Sequence, residues 1–323
     1  MARVLERVTA TARAHDMFEA GGAILVACSG GPDSVCLVYS LAYLRRLFRV
    51  RLEVFHLDHG LRPGSGADAA YVRRLAERLD LPCHLRAVSD APARGSSVEA
   101  WARERRRAAA DEVARAVGAS AIATAHTQDD QAETLLAWAL MGDGLRAIRP
   151  KTGRYVRPLL EVSREEVERF CRALRLRPRR DPMNEDPRFL RGALRLEAIP
   201  ALERATGRGV REPLARTARR ALEDDEELAR QMLERWADIV EERQDEVRLR
   251  VAALRSVPAP IARRLVERAI FRSGSPATLA DVDAVLDLAE GRPGRRRDLI
   301  SGLKARRERV YLSLSRTSPE SRV

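Results

Sequence analysis

A short polar turn near the N-terminus is the first candidate for chemistry. Its sequence is SGGPDS, residues 29–34, and it joins an apolar run to a helical one. Glycines let the backbone approach a ligand closely, so successive N–H groups can form an anion-binding nest. The following helix adds its positive dipole end, Ser29 and Ser34 add hydroxyl donors, and Pro32 is preset for an early helical position. The turn therefore predicts a phosphate site.

Asp33 in this turn adds a further requirement. A carboxylate beside bound phosphates repels them unless a cation lies between, so we assign Asp33 to magnesium. The turn lacks the GxxxxGK[ST] pattern, which excludes a Walker-type P-loop. Taken alone, these residues also fit a plain Gly-Pro-Asp turn with an aspartate at a helix start and no ligand.

A second polar segment, TAHTQDDQAET at residues 124–134, follows another apolar run and opens another helix. A neutral imidazole at His126 can take a proton from an amine or donate to a phosphoryl oxygen. Carboxylates such as Asp129 and Asp130 beside a phosphate site are suited to a metal ion. The alternative is an aspartate-rich helix start that only stabilises the helix dipole.

These segments need a scaffold that brings them together, and the apolar pattern supplies one. Short β-rich runs are predicted at 23–28, 50–57, 82–88 and 119–124, and helical stretches at 34–47, 67–80 and 98–117. Strands that alternate with helices imply a parallel α/β sheet covered on both faces. Ligands then bind at the carboxyl ends of the strands, where both polar segments fall.

The pattern loosens in the second half of the chain. Ser163 and Glu166 form a capping box before a helix, and Asp186-Pro187 is typical of a helix start. A long charged helix begins near Arg211. After it come a strand-like EVRLRVAAL (246–254), helices near 259–272 and 279–289, and the strand-like RVYLSLS. We therefore predict two domains, residues 1–212 and 213–323, the second a connecting helix with a small α+β domain.

Composition excludes several classes of protein. The chain has 323 residues, 45% hydrophobic and 33% charged, and no apolar run near the roughly 20 residues of a membrane span. The first twenty residues carry Glu6, Asp16 and Glu19 and no signal-peptide core, so we predict a cytoplasmic protein. The four cysteines form no CxxC pair, which disfavours a disulfide scaffold or zinc knuckle. The net charge of +12 favours nucleic acid as a partner. Only two of the 59 basic residues are lysines, a bias that genome composition can also produce.

Five motifs carry a family resemblance. SGGPDS resembles the signature of the PP-loop superfamily of N-type ATP pyrophosphatases. In order and spacing, four further segments resemble the tRNA(Ile)-lysidine synthetase family: HLDHGLRPGS (56–65), TAHTQDDQAET (124–134), RPLL (157–160) and DPMNEDPRFLRGALR (181–195). The resemblance implies a Rossmann-like parallel sheet with a long connecting helix and a small α+β C-terminal domain.

The resemblance also implies roles for individual residues. His126 and Asp130 become catalytic candidates together with Asp33, whereas Asp129 is interpreted as a helix cap. Asp33 and Asp130 are the predicted magnesium ligands. The predicted ATP contacts are Ala27, Ser29, Gly30, Gly31, Pro32, Asp33, Ser34 and His56, the last through its main chain.

Arginines are the remaining site candidates. The family pattern has arginines at Arg103 and Arg106, where one facing the cleft would stabilise charge on departing pyrophosphate. It has an aromatic where Arg107 stands and an asparagine where Gly192 stands. Arg191 and Arg195 lie one turn apart and could contact successive RNA phosphates. The basic tail 291–309 offers Arg295, Arg296 and Arg297. For each group, a solvated helix or tail face is the alternative.

The implied reaction uses ATP and Mg²⁺ to join free L-lysine to the wobble cytidine of tRNA(Ile) with a CAU anticodon, and a homodimer is left open. The reaction passes through an adenylated cytidine and releases pyrophosphate and AMP. Three alternatives remain at this point: a PP-loop tRNA thiolase, a small-molecule amide-forming ligase of the same fold, and an ATP-gated RNA-binding protein without catalysis. The thiolase would need reactive cysteines, and the RNA-binding protein would release no pyrophosphate.

Overall fold

The computed structural model describes residues 1–60, 64–88, 90–92, 97–142, 144–179, 189–299 and 302–316. Contacts between residues divide the chain into two compact units, Met1–Arg219 and Arg220–Val323. This division and the boundary that the sequence predicts after residue 212 both fall inside one long helix, Arg211–Ile239. Within the described ranges, no helix is both long enough and apolar enough to cross a bilayer.

The first unit is built on a six-stranded sheet. Its strands are β1 (Ala23–Ala27), β2 (Arg51–Asp58), β3 (Cys83–Ala87), β4 (Ala119–Ala123), β5 (Lys151–Thr152) and β6 (Tyr155–Val156). Their order is β3-β2-β1-β4-β6-β5, and all neighbours pair in parallel except β5 with β6. The first four strands lie within one residue of their predicted bounds, which confirms the α/β sheet. The carboxyl ends of β1 and β4 are adjacent, so the two polar segments that follow them lie at one edge of the sheet.

The helices of this unit cover both faces of the sheet. They are α1 (Ala2–Ala14), α2 (Pro32–Phe48), α3 (Ser65–Arg78), α4 (Val98–Ala116), α5 (Gln128–Met141), α6 (Arg164–Ala173), α7 (Leu190–Ala193), a π-helical turn (Leu194–Ala198), α8 (Ile199–Thr206) and α9 (Arg211–Ile239). One apolar cluster joins Ile24 and Val26 of β1 to α1, α2, α3 and α6. A second joins Leu25 to β2 and α4 on the opposite face. Alternate residues of β1 thus anchor the two layers.

In the part of the chain that the structure describes, the second unit contains the remainder of α9, a five-stranded antiparallel sheet and three further helices. Its elements are β7 (Val240–Glu242), β8 (Glu246–Arg250), α10 (Val251–Ser256), α11 (Ala259–Arg272), α12 (Leu279–Glu290), β9 (Arg296–Asp298), β10 (Leu303–Arg307) and β11 (Tyr311–Arg316). The strand order is β7-β8-β11-β10-β9. Leu249, Leu312 and Leu314 are buried under α11 and α12 in one apolar cluster. The small α+β fold predicted for this part is confirmed.

One prediction for the second unit is wrong in part. The run 246–254 was expected to be a single strand, but β8 ends at Arg250 and α10 follows at once. Val251 and Leu254 are both buried, three residues apart, which is the spacing of a helix face rather than of a strand.

Candidate active site

The SGGPDS turn is folded around a serine hydroxyl. Ser34 Oγ accepts the N–H groups of Ser29 (3.2 Å) and Gly30 (3.1 Å) and donates to the carbonyl oxygen of Gly31 (2.9 Å). Gly30 has φ +89°, a backbone conformation that favours glycine. Gly31 is the N-cap of α2, and Pro32 is its first residue, as the sequence predicts. The sequence predicts that the Ser34 hydroxyl donates to a phosphate. In the structure it donates its hydrogen bond within the turn.

Neighbouring segments hold the turn against the sheet. His56 of β2 is buried, and its Nδ1 donates to the carbonyl oxygen of Cys28 at 2.8 Å, so its ring contacts the turn directly. The Cys28 N–H donates to the Phe55 carbonyl oxygen, which continues the pairing of β1 and β2 past Ala27. On the other side, the Arg179 N–H donates to the Gly30 carbonyl oxygen (2.9 Å). The turn is thus fixed from two sides.

Asp33 lies in the first turn of α2 with an incomplete set of partners. Its Oδ2 is 3.4 Å from Nη2 of Arg164, and its Oδ1 is buried without a hydrogen-bond partner in the described structure. Burial raises the pKa of Asp33 to about 6, with Arg164 opposing the shift and Asp130 adding to it. A buried carboxylate oxygen without a donor is suited to a cation.

The start of α5 is held by Asp130, not by Asp129. Asp130 Oδ2 accepts the N–H (2.7 Å) and the hydroxyl (2.9 Å) of the N-cap Thr127, which completes a capping box. The expectation that Asp129 is the cap is therefore wrong. Asp129 instead accepts the Arg164 N–H (2.8 Å) and pairs with Nε of Arg211 (3.0 Å), because α6 and α9 begin beside α5.

Burial alone would raise the pKa of Asp130. His126, which is protonated at the acid pH where Asp130 titrates, and the Thr127 N–H hold that pKa below its usual value. Asp130 and Asp33 lie at the same edge of the sheet, and their pKa values are shifted in opposite directions. Asp130 is ionised at neutral pH, and its charge is distributed over defined hydrogen bonds.

His126 is placed to act as a base. Its Nδ1 lies 3.1 Å from Oγ1 of Thr124, whose hydroxyl donates to the carbonyl oxygen of Val156 at 3.4 Å. With the Thr124 hydroxyl donating to Val156, the ring proton lies on Nδ1 and the lone pair on Nε2. Burial lowers the pKa of His126 to about 4, and Arg157, Arg191 and Arg103 lower it further, against Asp130. The imidazole is therefore neutral at pH 7 and able to accept a proton.

Arg195 is bound within the site by a residue that the sequence analysis missed. Glu133 is buried, and its two oxygens lie 2.6 Å from Nε and 2.8 Å from Nη2 of Arg195. Nη2 also lies 3.4 Å from Asp130 Oδ1. Glu133 stands three residues after Asp130 on α5, a helical spacing that could have identified it. Arg191 lies nearby, with Nη2 3.4 Å from Oγ1 of Thr134.

The other predicted arginines are exposed. Arg103 and Arg106 lie on α4, and Nη2 of Arg106 is 3.3 Å from Nε2 of His59. Arg103 contributes to the low pKa of His126, so it lies at the same edge of the sheet. In the second unit, Arg295, Arg296 and Arg297 are exposed on and before β9. The first part of the motif at 181–195, including Asp186-Pro187, lies outside the described residues.

The carboxylates at this edge do not form a complete metal cage. Within the described ranges, no group of three or more histidines, cysteines, aspartates or glutamates is arranged to hold a metal ion. Magnesium bound with a nucleotide takes one or two protein carboxylates and completes its shell with phosphates and waters. The open oxygen of Asp33 fits that requirement.

Comparison with known proteins adds to this geometry. A family model described as the PP-loop domain matches residues 4–202. The tRNA(Ile)-lysidine synthase of Thermobifida fusca is 37% identical over 311 residues, which cover 90% of this chain and 94% of that protein. The tRNA(Ile)-lysidine synthase of Thermus thermophilus is 41% identical over 289 residues, 88% of this chain and 55% of that protein. The chain therefore spans nearly the full length of one relative and about half of the other.

Among solved structures, the chain is similar to the U34-tRNA thiolase NcsA from Methanococcus maripaludis with its [4Fe-4S] cluster. The TM-score is 0.58 at 16% identity, and the match covers 69% of this chain and 79% of that chain. At this identity the likeness supports the fold of the first unit. A shared fold does not determine the reaction, which depends on the residues at the edge of the sheet.

Proposed function

Because the chain belongs to the tRNA(Ile)-lysidine synthase family, we propose that it ligates lysine to the wobble cytidine of tRNA(Ile) with a CAU anticodon, at the expense of ATP. The match to the Thermobifida fusca relative over 94% of that protein carries the proposal. The ATP-utilising turn, the neutral His126 and the ionised Asp130 at one edge of the sheet support it.

The first step activates the base. The SGGPDS turn and the N-terminus of α2 bind the phosphates of ATP. The 2-carbonyl oxygen of cytosine attacks the α-phosphorus, the bond between the α-phosphorus and its bridging oxygen breaks, and pyrophosphate leaves. Arg103 and Arg106 offset the charge that grows on the leaving group. Because the wobble base stands in a loop, it can enter the site without opening a duplex.

The second step transfers lysine. The ε-amine attacks C2 of the adenylated cytosine, the C2–O bond breaks, and AMP leaves with that oxygen. Nε2 of His126 accepts a proton from the amine, a role that its neutral state at pH 7 supports. Most of the acceleration comes from holding the reactants together.

Magnesium is part of the proposal. Asp33 and Asp130 would hold it, and the open Oδ1 of Asp33 supports this assignment. When bound, the ion neutralises phosphate charge beside the turn.

Recognition of tRNA is assigned to two places. Residues 213–323 form a tRNA-binding unit whose exposed arginines Arg295–Arg297 contact the RNA backbone. Arg191 and Arg195 are assigned to the anticodon side, although Arg195 is engaged with Glu133 in the structure. A homodimer remains a prediction, and the sedimentation of the chain with and without tRNA tests it.

The thiolase alternative is disfavoured by the cysteines. Cys28, Cys36 and Cys171 are buried and Cys83 is half-buried. Burial raises the pKa of all four thiols, to about 11 for Cys28 and about 12 for Cys171. Sulfur transfer needs accessible thiolates with lowered pKa values. These thiols instead behave as small apolar residues of the core.

Incubation of the protein with ATP, labelled lysine and tRNA tests the proposal. Label is expected in the wobble nucleoside of tRNA(Ile), with pyrophosphate formed only when tRNA is present and AMP formed only when lysine is present as well. A tRNA(Ile) transcript with uridine at the wobble position is the matched control and takes no label. Sulfur incorporation, or RNA binding without pyrophosphate, would reject the ligase in favour of the thiolase or the RNA-binding protein.

A further inference from the structure

Arg164 lies at the same edge of the sheet but belongs to none of the sequence motifs discussed above. It is the first residue of α6, directly after the N-cap Ser163. The Glu166 N–H donates to Ser163 Oγ at 3.2 Å, and Glu166 Oε2 accepts the Ser163 N–H at 3.0 Å. Val167 and Phe170 bury the helix in the main apolar cluster. The backbone of Arg164 is therefore fixed.

The guanidinium of Arg164 has fewer and longer contacts than the guanidinium groups of Arg195 and Arg211. Arg195 makes two contacts of 2.6 and 2.8 Å with Glu133, and Arg211 pairs with Glu203 at 2.6 Å and Asp129 at 3.0 Å. In the described structure, the Arg164 guanidinium has one carboxylate contact, the 3.4 Å approach of Nη2 to Asp33 Oδ2. An arginine carries five N–H donors, so most of those on Arg164 remain available to a ligand.

The position of this guanidinium indicates what the ligand is. The side chains of Arg164 and Asp33 are each 23% exposed, so the pair faces a partly open site and not the core. Asp33 stands in the turn whose N–H groups and helix dipole attract phosphate. A charge-assisted pair formed for stability is typically 2.7–2.9 Å long, so 3.4 Å is the distance of a contact that is only partly made.

We propose that Arg164 is a substrate-contacting residue whose guanidinium binds the β- and γ-phosphates of ATP, the part that leaves as pyrophosphate. These two phosphates carry most of the charge of the nucleotide, and a planar arginine fork matches their oxygens. In this arrangement Arg164 contacts the phosphates, and Oδ1 of Asp33 stays open for a cation. The inference rests on the proposed function only in requiring that the site binds ATP.

Binding measurements test the proposal without any turnover. Dissociation constants for ATP, inorganic pyrophosphate and AMP are measured by calorimetry on the full chain. Arg164→Gln is expected to weaken ATP and pyrophosphate about tenfold to a hundredfold and to leave AMP within about twofold. Arg164→Lys keeps the charge without the fork and is expected to lie between. Arg169→Gln, an exposed arginine on the same helix, is the matched control and is expected to bind all three like wild type.

A second comparison separates this role from that of a counter-ion. If Arg164 only neutralised Asp33, its substitution would have no effect on ATP affinity once Asp33 is replaced by asparagine. We expect the loss caused by Arg164→Gln to persist at about tenfold or more in the Asp33→Asn background. Its disappearance there, an ATP affinity within twofold of wild type, or an equal loss for AMP would overturn the inference. Wild-type protein that binds no ATP would reject the proposed function as well, so the two failures are distinguishable.

Discussion

The phosphate turn at 29–34 and the start of α5 at 127–133 each place an aspartate at the same edge of the sheet. The two carboxylates differ in their hydrogen-bond partners. Asp130 accepts two hydrogen bonds from Thr127 and approaches Arg195. Asp33 has one long contact with Arg164 and a buried oxygen without a described partner. The pKa of Asp130 is lowered, whereas burial raises that of Asp33.

This difference separates a carboxylate that is hydrogen-bonded within the protein from one that keeps an oxygen open to a ligand. Asp130, whose pKa is lowered, stabilises the native state through its contacts. Burial raises the pKa of Glu133, and this carboxylate depends on its two contacts with Arg195. A carboxylate that is buried without such contacts costs stability, and the fold retains it where it serves binding. Substitutions at the two segments should therefore affect activity and stability in different proportions.

The largest expected effect is on activity at Asp33. Asp33→Ala is expected to lower pyrophosphate release by about a thousandfold, because the site loses its phosphate-side carboxylate. Pyrophosphate release in the presence of tRNA and lysine measures this, and circular dichroism checks that the fold is intact. Full activity in the variant would remove the magnesium assignment of Asp33.

The next effect is on stability at Glu133. Arg195→Ala is expected to lower the free energy of unfolding by about 3–5 kcal/mol, because it leaves the buried Glu133 carboxylate without its two donors. Urea denaturation measures the loss. Arg191→Ala, which gives up one 3.4 Å contact with the Thr134 hydroxyl, is the control and should cost less than about 1 kcal/mol. Equal losses in both variants would show that the ion pair contributes little.

The pH dependence of stability distinguishes the two aspartates most directly. The folded pKa of Asp33, about 6, lies above its usual 3.8, so its protonated form favours the fold and stability falls as pH rises between these values. Asp33→Asn is therefore expected to raise the free energy of unfolding at pH 8 by on the order of 2 kcal/mol, with a smaller gain at pH 5.

Asp130→Asn should do the opposite. Its lowered pKa makes the charged form favour the fold, so the variant loses about 1–2 kcal/mol at pH 8, and the loss shrinks as pH falls below the usual 3.8. Thermal or urea unfolding of both variants at several pH values measures the two slopes. Slopes of the same sign would contradict the contrast between the segments.

The smallest expected effect is on tRNA binding by the exposed arginines of the second unit. Replacing Arg295, Arg296 and Arg297 together by glutamine is expected to weaken tRNA binding about three- to tenfold and to make the salt dependence shallower. ATP affinity should not change. Arg230→Gln is the control, because Arg230 is exposed in the same unit but paired with Glu227 and Glu234. Equal tRNA affinity in the triple variant would reject this tail as an RNA contact.

Much of this molecule could be predicted from local patterns. The alternation of apolar runs and helices predicts β1 to β4 within one residue, and Ser163 with Glu166 predicts the start of α6. Chain order then predicts that the two polar segments meet at the carboxyl edge of the sheet. Each of these predictions depends on residues that are close in sequence or on a rule of sheet topology.

The contacts that define the site could not be predicted in this way. Arg164 and Asp33 are 131 positions apart, and Arg195 and Glu133 are 62 apart, so no local spacing links them. The contacts of Asp129 with Arg164 and Arg211 have the same long-range origin. The capping box of Thr127 and Asp130, in contrast, is a local spacing of three residues that the sequence analysis missed.

The π-helical turn at Leu194–Ala198 fixes the direction of Arg195 relative to α8, which continues from it. Such a turn is an α-helix that carries one extra residue, and each residue rotates an α-helix by about 100°. Arg195 lies within it and pairs with Glu133 of α5. Removing one residue here would leave a regular helix but rotate Arg195 away from its carboxylate. We therefore expect this segment to tolerate residue substitutions better than an insertion or a deletion.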